Sequence, residues 1–212
     1  MTPRRIRRPP FSAHRRYRNV ERKTGNLVLI VCEGKTTEPS YFDSLRKDRK
    51  LTGLTIHGEQ CGNDPRSVVD YAVQIKHDYE EKSRRGSELE FDDVWCVIDH
   101  DKHPTLKEAL NRARDHNIRI ALSVPCFEFW CLLYYEYTTA HFKNCEEVIR
   151  RLRNHLPRRK YSKSNLPCDS LLENVTIAVE NGKRLRQHNE ATDTWNPRTD
   201  VDSLVGQLLE LK

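Results

Sequence analysis

At 212 residues, with 32% charged side chains and a mean hydropathy of −0.81, the chain is long enough for one domain with an appended lobe and a real core. No apolar run approaches the roughly 18 residues that cross a bilayer. The basic start lacks the apolar segment of a secretory signal, so a cytoplasmic protein without a membrane partner is expected. The net charge of +6 sits at the start: residues 1–23 carry nine Arg and Lys against Glu21 alone. Whole-chain basicity is therefore no argument for nucleic-acid binding.

Residues 1–23 are Arg/Pro-rich and nearly free of aliphatics, so a disordered arm is expected. Such an arm can neutralise phosphates non-specifically or serve as a solubilising or partner-docking tail. An apolar run over 27–32, ending abruptly at Glu33-Gly34-Lys35, predicts a strand buried on both faces. Thr37-Glu38-Pro39 then opens a helix to about Lys47, with Thr37 as cap and acids suited to the dipole. Residues 54–60 alternate and read as a second strand. Cys61-Gly62-Asn63 is a turn, and Asp64-Pro65 caps and starts a helix to about Glu81. Residues 82–90 read as a polar loop.

Residues 93–98 form a third buried strand that ends at Asp99-His100-Asp101. Thr105 caps a helix through Ala113, and 118–124 is a fourth strand. Strands alternating with helices predict a parallel or mostly parallel α/β sheet with right-handed crossovers. Past Pro125 the pattern is helical: a core helix over 127–135, a basic amphipathic helix over 145–155, a helix over 171–187, and a final helix over 201–208 capped by Thr199. Three parts result: the arm (1–23), an α/β core (24–124) and a helical C-terminal lobe (125–212).

The seven cysteines are scattered, with no Cys-x-x-Cys pair, so a zinc-ribbon spacing is absent. Cys32, Cys96 and Cys131 lie in apolar runs and read as small buried hydrophobes of a reducing compartment.

In parallel sheets, chemistry gathers past the carboxyl ends of strands. Glu33 follows the first strand, and Asp99 and Asp101 follow the third. Alternate residues of extended chain point the same way, so Asp99 and Asp101 can face one ion. Clustered carboxylates repel without a cation, and hard oxygen donors suit Mg²⁺ or Mn²⁺. Lys35 can supply positive charge to a developing phosphorane. Glu128 stands among aromatics, where a carboxylate is costly unless paired or metal-bound. Arg150, Arg151, Arg153, Arg158, Arg159, Lys160 and Lys163 form the best phosphate-binding surface of the body. His100 and His103 flank the acids in a polar turn, and Arg66 follows the second strand.

A glutamate after the first strand and an Asp-x-Asp after the third resemble a Toprim domain. More narrowly, Val31-Cys32-Glu33-Gly34-Lys35-Thr36-Thr37-Glu38-Pro39-Ser40-Tyr41-Phe42 resembles the opening of the RloB family. Ser123-Val124-Pro125-Cys126-Phe127-Glu128-Phe129-Trp130, Tyr161-Ser162-Lys163 and Asn196-Pro197-Arg198-Thr199-Asp200-Val201 continue the likeness in order. The resemblance implies a Toprim-like, mostly parallel four-stranded sheet flanked by helices, with the C-terminal helical lobe. It also implies a bacterial anti-phage defence locus and an AAA-type ATPase partner.

The expectation is a Mg²⁺- or Mn²⁺-dependent endonuclease cutting DNA or RNA, tRNA among the candidates. Glu33 would be general base or metal ligand, Asp99 and Asp101 would hold the metal, and Glu128 would orient water or complete the shell. Lys35 and the 150–163 segment would hold phosphate. The alternative is a non-catalytic nucleotide- or nucleic-acid-binding subunit that regulates the ATPase. The oligomeric state is left open.

Overall fold

The computed structural model describes residues 26–58, 64–100, 104–156, 161, 166 and 168–211. The expected arm, the turn at 61–63, Asp101, His103, Arg158, Arg159, Lys160 and Lys163 lie outside the described residues.

The chain runs β1 (Val28–Cys32), α1 (Thr37–Arg49), β2 (Leu54–His57), α2 (Pro65–Arg84), β3 (Asp93–Asp99), α3 (Leu106–Asp115) and β4 (Arg119–Val124). It continues through α4 (Glu128–Leu132), α5 (Cys145–Arg153), α6 (Cys168–Leu172), α7 (Val175–Thr192), β5 (Arg198–Thr199) and α8 (Val201–Glu210). The sheet order is β2-β1-β3-β4-β5. The first four strands pair in parallel, as expected.

The sheet has five strands rather than four. β5 adds antiparallel to β4 through Ser123↔Thr199 and Val124↔Arg198. Two residues after a proline carry no period-2 signal, so nothing in the pattern announces this strand.

β1 is buried along its whole length, and the pleat divides its side chains between two cores. Val28, Ile30 and Cys32 join Tyr41, Phe42 and Leu45 of α1 and the helices after residue 125, including Trp130, Leu185 and Leu204. Leu29 and Val31 face Val68, Val69 and Ala72 of α2 and Ala109 and Ala113 of α3. One core thus runs without interruption from the sheet into the C-terminal helices.

The chain leaves β1 toward β2 on one side, then returns across β1 to place β3 on the other. The strand order therefore reverses between β1 and β3. The crevice outside the carboxyl ends at such a reversal is where ligands bind in open α/β sheets.

The helix ends match the expected caps only in part. Asp64 caps α2 as expected, accepting from the Arg66 and Ser67 amides at 3.1 and 3.2 Å. Thr37 is not the cap of α1; Thr36 holds that position and makes no side-chain cap bond. Thr105 precedes α3 but its hydroxyl reaches Asp64 at 3.4 Å instead of the helix. The expected helix over 171–187 is two helices that break at Asn174. Leu171 and Leu172 before the break and Val175 and Ala178 after it are all buried in the core. α2 runs on to Arg84 through residues expected as loop, with Lys82 and Arg84 in its last turn favouring the dipole. Among the described residues no helix is long and apolar enough to cross a membrane.

α7 and α8 close tightly on one another. Gly182 has no room for a methyl, because Asp202 packs directly over it. Asp202 is almost completely buried and ion-paired with Arg186. Burial pushes its carboxyl up to about 6; Arg186 opposes this and nearby Asp200 adds to it. The folded state therefore favours the protonated acid over the unfolded state. The stability this provides is complete below about pH 4 and is lost as pH rises through about 6, an effect of about 3 kcal/mol for a shift of about two pKa units. Urea unfolding of wild type and Asp202→Asn at a series of pH values should show it. Stability of the wild type relative to the variant falls between about pH 4 and pH 6 and is flat above.

Candidate functional site

β1 and β3 are neighbours in parallel register, with Cys32 opposite Val97. One residue further, Glu33 donates its backbone N–H to the Val97 carbonyl at 3.0 Å. Its side chain turns toward β3, where Oε2 accepts the Asp99 backbone N–H at 3.0 Å. Glu33 and Asp99 are both half-buried. The two strand-end acids therefore come together, at the point where the strand order reverses. Ser123 of β4 is Asp99's partner on the far side, and the His100 amide donates to the Ser123 carbonyl at 2.8 Å.

Two further acids crowd this edge. Glu38, in the first turn of α1, is buried and folds its carboxylate back over Gly34. A Cβ at residue 34 would overlap that carboxylate, so a side chain there would push Glu38 out of its present position. Glu128, at the start of α4, is also buried. Its Oε1 accepts from the Tyr161 hydroxyl at 2.7 Å, and Cys145 Sγ lies 3.1 Å from its Oε2. Burial raises the Cys131 thiol well above its ordinary value, and Glu128, Glu38 and Asp99 add to the rise.

Tyr161 is pushed far up, first by burial and then by the Glu128 carboxylate. It remains a neutral phenol that donates to Glu128, which is a positioning role and not that of a nucleophile.

Lys35 is exposed and lines a cleft of about 500 Å³ between the start of α1 and the end of β2, with Thr36, Ser40 and His57. The cleft opens beside the carboxylates on the β2 side. The basic face of α5 is partly committed within the protein. Arg151 pairs with Glu136 and lies over the Phe142 ring, and Arg153 donates to the Tyr161 carbonyl at 3.4 Å. Arg150 is exposed. Arg66 is tied to Asp70 at 2.9 Å and reaches Glu108 at 3.5 Å, binding α2 to α3 rather than lining the cleft.

A hard divalent cation fits Glu33 and Asp99, because Mg²⁺ needs only one or two carboxylates and keeps waters for substrate phosphate. Asp101, the third expected ligand, lies outside the described residues. Among the described residues, the one group of three metal-type donors within 4.8 Å of one another is Cys126, Glu128 and Cys145. Its sulfurs are joined as a disulfide, with Cα atoms 5.6 Å apart. Disulfide sulfurs are not thiolate ligands, so this group is no substitute for the oxygen site.

A family model of RloB-like proteins matches residues 28–208, from β1 into α8. The chain belongs to the RloB-like family. No curated protein and no solved structure matches it.

In this RloB-like chain, Glu38 is legible from the sequence as the start of a helix and a secondary site candidate, while two features of the carboxyl edge carry no sequence signal. The Cys126–Cys145 bridge spans a separation of 19 with no spacing signature. Trp195, half-exposed beside His100, carried no motif.

Tyr161→Phe removes the donor from the buried Glu128 carboxylate. A loss of about 1–3 kcal/mol in urea-unfolding free energy is expected, the usual range for an orphaned buried group. Adding Glu128→Gln to it should recover part of that loss in a double-mutant cycle, since the charge is then gone.

Proposed function

We propose that this RloB-like chain is a metal-dependent endonuclease that cuts a phosphodiester at the carboxyl edge between β1 and β3. The observation that carries the reading is the Glu33 carboxylate bonded to the Asp99 amide across two adjacent parallel strands. Strand order β2-β1-β3-β4, with a glutamate ending the first strand and an aspartate ending the third, favours assigning the sheet as Toprim.

Glu33 and Asp99, with Asp101, are the residues that would hold Mg²⁺ or Mn²⁺. The ion supplies Lewis-acid polarisation of a phosphoryl oxygen and acidifies water. Glu33 accepts a proton from the attacking water or serves as ligand, in a geometry fixed by its bond to the Asp99 amide. Lys35 holds phosphate in the cleft on the β2 side. Glu128 is held by Tyr161 and sets the negative field behind the site. Nucleic acid is the substrate class, and tRNA remains the first RNA to try. An AAA-type ATPase partner, bacterial defence against phage and a cytoplasmic setting belong to the same proposal.

The test is incubation of the full chain with Mn²⁺ and plasmid, single-stranded DNA and tRNA, with and without the ATPase. Cleavage by wild type is expected. Glu33→Ala and Asp99→Ala should each lower the rate by at least about a hundredfold, as expected where a catalytic acid or base is removed. Equal inertness of wild type and variants with the partner present would replace this reading with that of a regulatory binding subunit.

A further inference from the structure

The carboxyl edge continues past the acids to a second cavity on its β5 side. β5 is antiparallel to β4, so the chain just before it projects beyond the carboxyl end of β4. Trp195 lies there. At 46% exposure it is the one large aromatic side chain so open among the described residues. His100, directly after Asp99, meets its ring edge-on at 5.8 Å and 77°. The Arg198 guanidinium stands 4.9 Å from its centroid and is itself held by Asp200 at 3.1 Å. The indole is thus held by two neighbours, and it lines a cavity of about 310 Å³.

The other walls of that cavity accept hydrogen bonds. Asn189 is buried there; its Nδ2 donates to the Pro197 carbonyl at 2.8 Å, which fixes the amide orientation. Its Oδ1 is then buried without a partner. An orphaned buried acceptor costs about 1–3 kcal/mol, and this one is closed off behind the cavity wall. Glu190 and Asp193 add carboxylates to the lining. Both guanidinium groups in the lining are already engaged, Arg198 by Asp200 and Arg186 by Asp202 and Ser203. The cavity is therefore poorly suited to phosphate. It suits a flat ring that stacks on one face and presents N–H donors at its edge.

We infer that the Trp195 cavity takes one unstacked nucleobase of a single-stranded nucleic acid, with guanine preferred. Guanine offers a ring N–H beside an amino group, two adjacent donors that match a carboxylate such as Glu190 or Asp193. Stacking on an aromatic side chain accepts any base, while the acceptor wall selects against uracil and thymine. The inference rests on the reading of the neighbouring carboxylates as a nuclease site, and it assigns that site a substrate with a splayed-out base next to the cut. Duplex ends with every base stacked do not meet this requirement.

The test is binding without cleavage, on the full chain in EDTA. Trp95 and Trp130 are buried, so quenching of tryptophan emission by a stacked base reports Trp195. The probes are uridine oligonucleotides about ten long with one central guanosine, all-uridine controls, the same sequence as a duplex, and GMP alone. The guanosine-containing single strand should quench emission and bind most tightly. Trp195→Ala should abolish the quenching and weaken binding about 5- to 100-fold, and Trp195→Phe should fall between. Unchanged affinity in Trp195→Ala, or no quenching by any oligonucleotide, overturns the inference. GMP binding as tightly as the oligonucleotide also overturns it, in favour of a free-nucleotide pocket. Cleavage is read separately: a chain that binds in this way but never cuts contradicts the nuclease reading alone, and one that cuts without using Trp195 contradicts this inference alone.

Discussion

The arrangement depends on one hydrogen bond, from the Asp99 amide to the Glu33 carboxylate. A carboxylate at the end of a strand would ordinarily point into water. Here it is turned sideways onto the next strand, because β1 and β3 are parallel neighbours and end in near register. Charge-assisted bonds from backbone amides to carboxylates are among the stronger ones. This one fixes the separation and orientation of two acids that would otherwise repel.

The rest of the edge is built around keeping acids close together. Gly34 leaves space for Glu38, Tyr161 donates to Glu128, and the Cys131 thiol is held protonated by burial and by the surrounding negative charge. Each device has a structural cost. Gly34 lowers local rigidity, and a buried carboxylate must find donors. A fold that accepts such costs at a strand-order reversal resembles a site more than a scaffold. From β2 to β5 the edge passes from the Lys35 cleft through the acids to the Trp195 cavity.

Much of this was legible in the sequence, and the reasons differ by residue. β1 and β3 announced themselves as apolar runs, and a fully buried strand must be apolar on both faces. Glu33 and Asp99 were found because the runs stop at them. Their mutual bond was not, since strand adjacency is a tertiary fact. β5 escaped notice because two residues cannot show a period. The break at Asn174 escaped because the apolar residues on both sides fit a single helical face. In the basic segment, Arg151 and Arg153 also have partners within the protein, Glu136 and the Tyr161 carbonyl, which composition does not show. Trp195 and Asn189 carried no motif, since their meaning comes from a cavity that forms only where the end of α7 turns into β5.

The central claim is that Glu33 and Asp99 form a divalent-cation site. It is tested most directly by titrating the full chain with Mn²⁺ and following the free-ion resonance signal. Saturable binding is predicted for the wild type, weakened by at least about tenfold in Glu33→Gln and in Asp99→Asn, as for loss of a ligand or of a group that orients one. Equal Mn²⁺ binding by wild type and the Glu33→Gln/Asp99→Asn double variant would contradict the account.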